Sequence, residues 1–197
     1  KANALGIPVI LDPVAAGVTT IRRSACATLL EEVRFTVIRG NASEIRALAL
    51  HQAGGSGVDV AAADAVTENT LPAAVALCQS LAQSTGAVVA LSGAVDILTD
   101  GVQTVLLRNG CPTMSRITGS GCMLTALLGA FCGANASPLP AAAAAVAAMD
   151  LAGERAEALR LQKGTGNATF RTDLIDAVFN LTEEQLTQGV HYEVYQG

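Results

Sequence analysis

With 197 residues the chain is long enough for one sizeable domain with its own core. It is 51% hydrophobic, 15% charged and 3% aromatic, with no Trp, which suits helices packed on a buried sheet. A net charge of −5 without any Lys/Arg cluster argues against a nucleic-acid partner, and no stretch reads as a membrane span or signal peptide.

In chain order, Lys1–Gly6 reads as the end of a helix stopped by a glycine. Lys1 is not Met, so part of the domain is expected to precede it. Ile7–Leu11 is an apolar, β-branched run, a buried strand ending at Asp12, and a loop follows to Gly17. Ser24–Glu32 is helical. Phe35–Ile38 is a second buried strand, ending at Arg39-Gly40-Asn41, and Ala42–Leu50 is helical again. Gly54-Gly55-Ser56-Gly57 reads as a flexible loop. Leu71-Pro72 opens a helix that Gly86 stops after Thr85. Ala87–Leu91 is a third buried strand, ending at Ser92-Gly93. Asp96–Thr99 and Val102–Leu107 flank Asp100-Gly101, a hairpin signal. A long apolar helix starts after Thr118-Gly119-Ser120-Gly121. Another runs from Ser137-Pro138 to about Arg160, and a last one begins at Thr172.

Strands alternating with helices predict an α/β fold, a mostly parallel sheet with helices on both faces. No linker or internal repeat divides the chain. The five cysteines are scattered, odd in number and lack a C-x-x-C pair, so neither a disulfide framework nor a zinc site is expected. That usage suits a reducing cytosol.

Ligands of such sheets bind beyond the carboxyl ends of the strands. Those ends carry Asp12, Arg39-Gly40-Asn41 and Ser92-Gly93. The turn Gly119-Ser120-Gly121-Cys122 feeds a helix N-terminus, where unpaired N–H groups and the macrodipole favour an anion. A cysteine in that first turn feels the same field, which favours its thiolate. Taken alone, the turn is equally a plain capped loop. Asn41 and Glu44 fit a capping box; a carboxylate ligand for Mg²⁺, shared with Asp12, is the other reading of Glu44. Arg39 is either a phosphate donor or a sheet-edge ion pair. Ser92 alone reads as a turn.

The segments LDPVAAG, VIRGNASEI, LSGAVDILTDG, TGSGCMLTALL, MDLAGERA and GTGNATFRTDLIDAVFNL resemble hydroxyethylthiazole kinase, a ribokinase-like family of thiamine biosynthesis. The similarity is collinear and covers nearly the whole chain. Cys at the end of the glycine turn, where the wider ribokinase-like group usually has Asp, is shared with the thiazole kinases. The resemblance implies one ribokinase-like three-layer sandwich over residues 1–197 and ATP-dependent phosphorylation of the primary alcohol of hydroxyethyl-methylthiazole, with Mg²⁺. It places the metal on Asp12 and Glu44, ATP on Arg39 and Ser92, a substrate contact on Gly119, and the reactive position on Cys122; the N–H groups of the turn Gly119, Ser120 and Gly121 are expected to form the anion hole for the transferred phosphoryl. It also implies a cytoplasmic homotrimer with sites near subunit boundaries.

The chain departs from the family pattern in places. Ser92 and Ser120 stand where Thr is usual, Ala94 where an acidic residue is common, and the segment around Gly54–Asn69 looks longer. Other readings stand beside the resemblance. A nucleotide-dependent NAD(P)H-hydrate dehydratase shares the fold, but Cys122 and VIRGNASE speak against it. The same residues disfavour hydroxymethylpyrimidine and pyridoxal kinases. A binding chain without catalysis is the remaining alternative.

Overall fold

The computed structural model describes residues 1–52 and 66–196, so the expected Gly54–Gly57 loop lies outside the described residues. A short 3-10 turn, Asn3–Leu5, ends at Gly6 in the left-handed region. Then follow β1 (Ile10–Leu11), α1 (Thr20–Glu32), β2 (Val37–Gly40), α2 (Ala42–Gln52), α3 (Leu71–Thr85), β3 (Val88–Leu91), β4 (Asp96–Thr99) and β5 (Thr104–Leu107). A second 3-10 turn, Pro112–Arg116, leads to α4 (Ser120–Ala134), α5 (Pro138–Lys163), α6 (Asn167–Phe179), α7 (Glu183–Gly189) and β6 (Tyr192–Val194).

The α/β expectation holds, but the sheet is mixed where the sequence predicted a mostly parallel one. Its order is β1-β2-β3-β4-β5-β6. The first three strands are parallel, because helices carry the chain back between them. From β3 onward every pair is antiparallel. The Asp100-Gly101 connection enforces this: Asp100 Oδ1 accepts the N–H groups of Val102 and Gln103, at 2.9 and 2.8 Å. The chain therefore turns straight back into β5.

Alternation along the strands fills two cores. Val37, Val88, Ala90, Leu98 and Leu107 pack with α4, α5 and α6 on one face. Ile38, Val89, Leu91, Ile97 and Leu106 pack with α1, α2 and α3 on the other. The result is three layers. In α5, alanines at 141, 142, 145, 152 and 156 let the helix lie close to its neighbours, with Phe170 and Leu174 of α6 fully buried beside them. None of the helices among the described residues is long and apolar enough to cross a membrane.

Several boundaries move for local reasons. β1 is shorter than the predicted run because Pro8 has no N–H, although Val9 still exchanges bonds with Thr36. α1 begins early because Thr19 Oγ1 caps the Arg22 N–H at 3.2 Å. α6 begins at Asn167, five residues before the expected Thr172, immediately after Gly164 ends α5 in the left-handed region. α7 was not anticipated, although Thr182-Glu183-Glu184-Gln185 spells its capping box.

Candidate active site

The parallel half of the sheet determines where the site sits. Because β1, β2 and β3 run side by side in one direction, their carboxyl ends bring Asp12, Arg39 and Ser92 together. Strand β2 delivers the Arg39 side chain, 13% exposed, into the middle of this group. Its Nη2 donates to Ser92 Oγ at 2.8 Å, and its Nη1 stands 3.8 Å from Asp12 Oδ2. The guanidinium stands close against the first turn of α4: a Cβ on Gly121 would sit 2.6 Å from Nη1. Thr125, one turn further along α4, donates its hydroxyl to Asp12 Oδ2 at 2.7 Å. The sheet-edge ion pair and the approach to the glycine turn are thus the same arrangement.

Two polar atoms in this group are buried without a protein partner, Asp12 Oδ1 and Arg39 Nε. Such atoms are costly unless a water or ligand meets them. Gly119 precedes α4 with φ +94°, a conformation natural to glycine, and it brings no side chain to cap the helix. The first N–H groups of α4, at Ser120, Gly121 and Cys122, have no acceptor inside the helix. Cys122 is exposed. The other cysteines are buried or half-buried thiols, and Cys78, closed off from water, is pushed up to about 12.

Glu44 does more than its capping role predicts. The Asn41–Glu44 box is complete: Asn41 Oδ1 accepts the Glu44 N–H at 3.0 Å, and Glu44 Oε2 accepts the Asn41 N–H at 2.9 Å. Glu44 Oε1 also accepts the Ala15 N–H at 2.9 Å. Ala15 holds φ +56°, so the carboxylate ties down a strained turn in the loop after β1. Beside the box, a hollow of about 190 Å³ is walled by Asn41, Ser43, Val66, Ser92, Gly93 and Ala94. A larger hollow, about 550 Å³, opens at the other end of the strands, around Phe35, Thr36 and Cys132–Asn135, and contains none of the predicted residues. The smaller hollow includes Ser92 and borders the Asn41–Glu44 box. Among the described residues no three His, Cys, Asp or Glu side chains group as a metal cluster.

Sequence reasoning missed Thr125 and a buried acid pair. Asp96, at the start of β4, is 4% exposed, and Asp150, midway along α5, is 6% exposed. Their side chains are hydrogen-bonded to each other. Two carboxylates only accept, so a proton must lie between them. Burial pushes both up, Asp96 to about 6 and Asp150 to about 10, Asp150 further because it also faces the charge of Asp96. The folded protein therefore binds more protons than the unfolded chain. The stability this provides is full below the ordinary carboxylate value and is lost as pH rises toward and through the raised values. Thermal melts should accordingly show Tm falling from about pH 4, the ordinary carboxylate range, to about pH 10, and Asp150→Asn should flatten that decline.

A three-layer α/β sheet whose strand ends deliver a carboxylate, a guanidinium and a hydroxyl to a glycine-lined helix N-terminus defines a ribokinase-like phosphotransferase. Comparison with known proteins narrows the class. The model of the Hydroxyethylthiazole kinase family matches residues 1–184. Hydroxyethylthiazole kinase of Clostridium acetobutylicum is 47% identical over 98% of this chain and 71% of its own length. That of Cereibacter sphaeroides ATCC 17023 is 46% identical over 98% of this chain and 68% of its own. A solved hydroxyethylthiazole kinase from Pyrococcus horikoshii OT3 superposes with TM-score 0.83 at 29% identity, covering 99% of this chain and 68% of that one. The chain belongs to the hydroxyethylthiazole kinase family. It spans roughly two thirds of the length of these relatives, from 68% to 71%. The family is one of kinases, which implies ATP as co-substrate and a small-molecule acceptor for its members.

Proposed function

We propose that the full-length protein transfers the γ-phosphoryl group of ATP to the primary hydroxyl of hydroxyethyl-methylthiazole, in thiamine biosynthesis or salvage. The observation that carries this reading is the contact of Arg39 with Ser92, Asp12 and the Gly121 turn at the start of α4. The hydroxyl oxygen attacks γ-phosphorus, the bond to the ADP oxygen breaks, and the hydroxyl proton leaves to Cys122 or water. The N–H groups of Gly119, Ser120, Gly121 and Cys122 would hold the equatorial oxygens, where charge grows in the transition state. Arg39 and Ser92 would orient the nucleotide phosphates, and Gly119 would touch the substrate.

Asp12 suits a cation, since its Oδ1 is buried and unpartnered. Glu44 retains lone pairs beyond its two N–H bonds, so Asp12 and Glu44 would hold Mg²⁺. When bound, Mg²⁺ offsets negative charge on the phosphates. The same reading makes residues 1–197 part of one domain, in a cytoplasmic trimer. Five free thiols support a reducing compartment.

If Cys122 takes the hydroxyl proton, Cys122→Asp retains or raises turnover, and Cys122→Ala lowers it modestly, because positioning and charge stabilisation carry most of a phosphoryl transfer. Steady-state ATP-consumption kinetics on both variants decide the point; collapse of the Asp variant argues against the base role. The function itself is tested by the same assay on the full-length protein with hydroxyethylthiazole, hydroxymethylpyrimidine or hydrated NADH. Turnover confined to either of the last two overturns the assignment.

A further inference from the structure

The buried acid pair lies directly behind the nucleotide side of the site. In the turn from β3 to β4, Ser92–Val95, the residues Ser92, Gly93 and Ala94 form one wall of the hollow beside Asn41. The turn is tied at three points. Ser92 N–H donates to Gly40 O at 2.9 Å, Ser92 Oγ accepts from Arg39 at 2.8 Å, and Gly93 N–H donates to Asp96 Oδ1 at 2.9 Å. Asp96 is in turn hydrogen-bonded to Asp150, which reaches it from α5 across the β4 face. The charged groups facing the pair fix who holds the proton. Arg39, from β2, and the Gly93 N–H both favour a charged Asp96. Asp150 faces the negative Glu154 one turn along α5, and its Oδ1 lies against the Gly110 backbone after β5. Its Oδ2 is buried and has no protein donor. Asp150 is therefore the acid that donates, and Asp96 the carboxylate that accepts.

We propose that protonated Asp150 is a positioning residue for nucleotide binding: its hydrogen bond holds Asp96 in place to grip Gly93, and so sets the Ser92–Val95 turn against Arg39. Neither acid needs to touch substrate. The inference rests on the kinase reading, in which Arg39 and Ser92 meet ATP. It also makes ATP affinity depend on a proton buried outside the reacting groups. Raising the pH strips that proton, leaves two facing carboxylates, and releases the turn.

The test uses the full-length protein and Mg-ATP binding measured by equilibrium titration, with steady-state kinetics alongside. Asp150→Ala leaves Asp96 without its donor, and the ATP dissociation constant should rise about tenfold, the worth of one charge-assisted hydrogen bond, with KM for ATP rising more than kcat falls. Asp150→Asn supplies an N–H donor that cannot ionise. It should restore affinity near neutral pH and remove the loss of ATP affinity expected of the wild type between about pH 7 and pH 10. Unchanged ATP affinity in a folded Asp150→Ala protein overturns the proposal. So does an Asp150→Asn protein that keeps the wild-type alkaline loss, a result that stands even if the Ala variant does not fold. A wild type that binds no ATP defeats the kinase reading instead, and the two failures are thereby separate.

Discussion

Gly121→Val should lower kcat/KM at least about a hundredfold while moving Tm by only a few degrees. A Cβ at this position would lie 2.6 Å from Arg39 Nη1 and 3.2 Å from Nη2. Both atoms are at the tip of a flexible side chain, so the fold can yield where the site cannot. The guanidinium would swing off the α4 turn and away from Ser92 and Asp12, and a branched side chain would stand where an anion should approach the backbone. Val is a better helix former than Gly, which offsets part of any packing loss. Gly129, two turns along the same helix, is the control: a Cβ there meets only Ile10 Cγ1 at 3.9 Å, an ordinary contact. Gly129→Ala should leave kcat/KM unchanged. Equal damage from the two substitutions would show that the helix is intolerant in general and that the Gly121–Arg39 approach is not special.

Arg39→Leu should cost about 10²–10³ in kcat/KM, mostly through KM for ATP. The substitution removes the 2.8 Å bond to Ser92 Oγ and the one cationic group 3.8 Å from Asp12. Asp12 would keep only the Thr125 hydroxyl as a protein partner among the described residues, with its Oδ1 still buried. Arg39→Lys should recover a minor part of the loss. It restores the charge but not a planar fork that reaches Ser92 and the α4 turn together. Kinetics with ATP varied, paired with direct ATP titration, separates a binding defect from a defect in transfer. A Lys variant that behaves as wild type would mean that charge alone matters at this position.

Much of this site could be read before any coordinates were known, because its members end apolar runs. Asp12, Arg39 and Ser92 follow buried strands, and parallel pairing of those strands is what collects them. The Asn41–Glu44 box was visible from its spacing, but the bond from Ala15 to Glu44 was not, since a loop 29 residues earlier in the chain makes it. Thr125 escaped notice for a similar reason. A threonine on an apolar helix reads as filler until β1 places a carboxylate opposite it. Asp96 and Asp150 sit in a strand and an alanine-rich helix with no local sign that they meet; only the packing of α5 on β4 joins them. The direction of β4 and β5 was implicit in Asp100-Gly101, yet the alternation of helices and strands elsewhere outweighed it. Short, exposed β6 carried too little apolar signal to be seen at all.

The agreement of strand order with chain order has a bearing on how the molecule comes to exist. Each strand pairs with the one made just before it, so every pairing in β1–β6 extends an edge already present. Among the described strands none inserts between two others, although β6 joins β5 only after α4, α5, α6 and α7 have been made. The hairpin at Asp100-Gly101 closes over only four residues, 100–103, whereas the long helical segments before β3 and β6 make those two pairings the costlier to close. Through β5 the described strands can therefore add in the order in which they are made, and α4 and α5 reach a face to which only the edge strand β6 is still to be added. Asp12, Arg39 and Ser92 all precede α4 in the chain, so its glycine turn arrives onto strand ends that are already made.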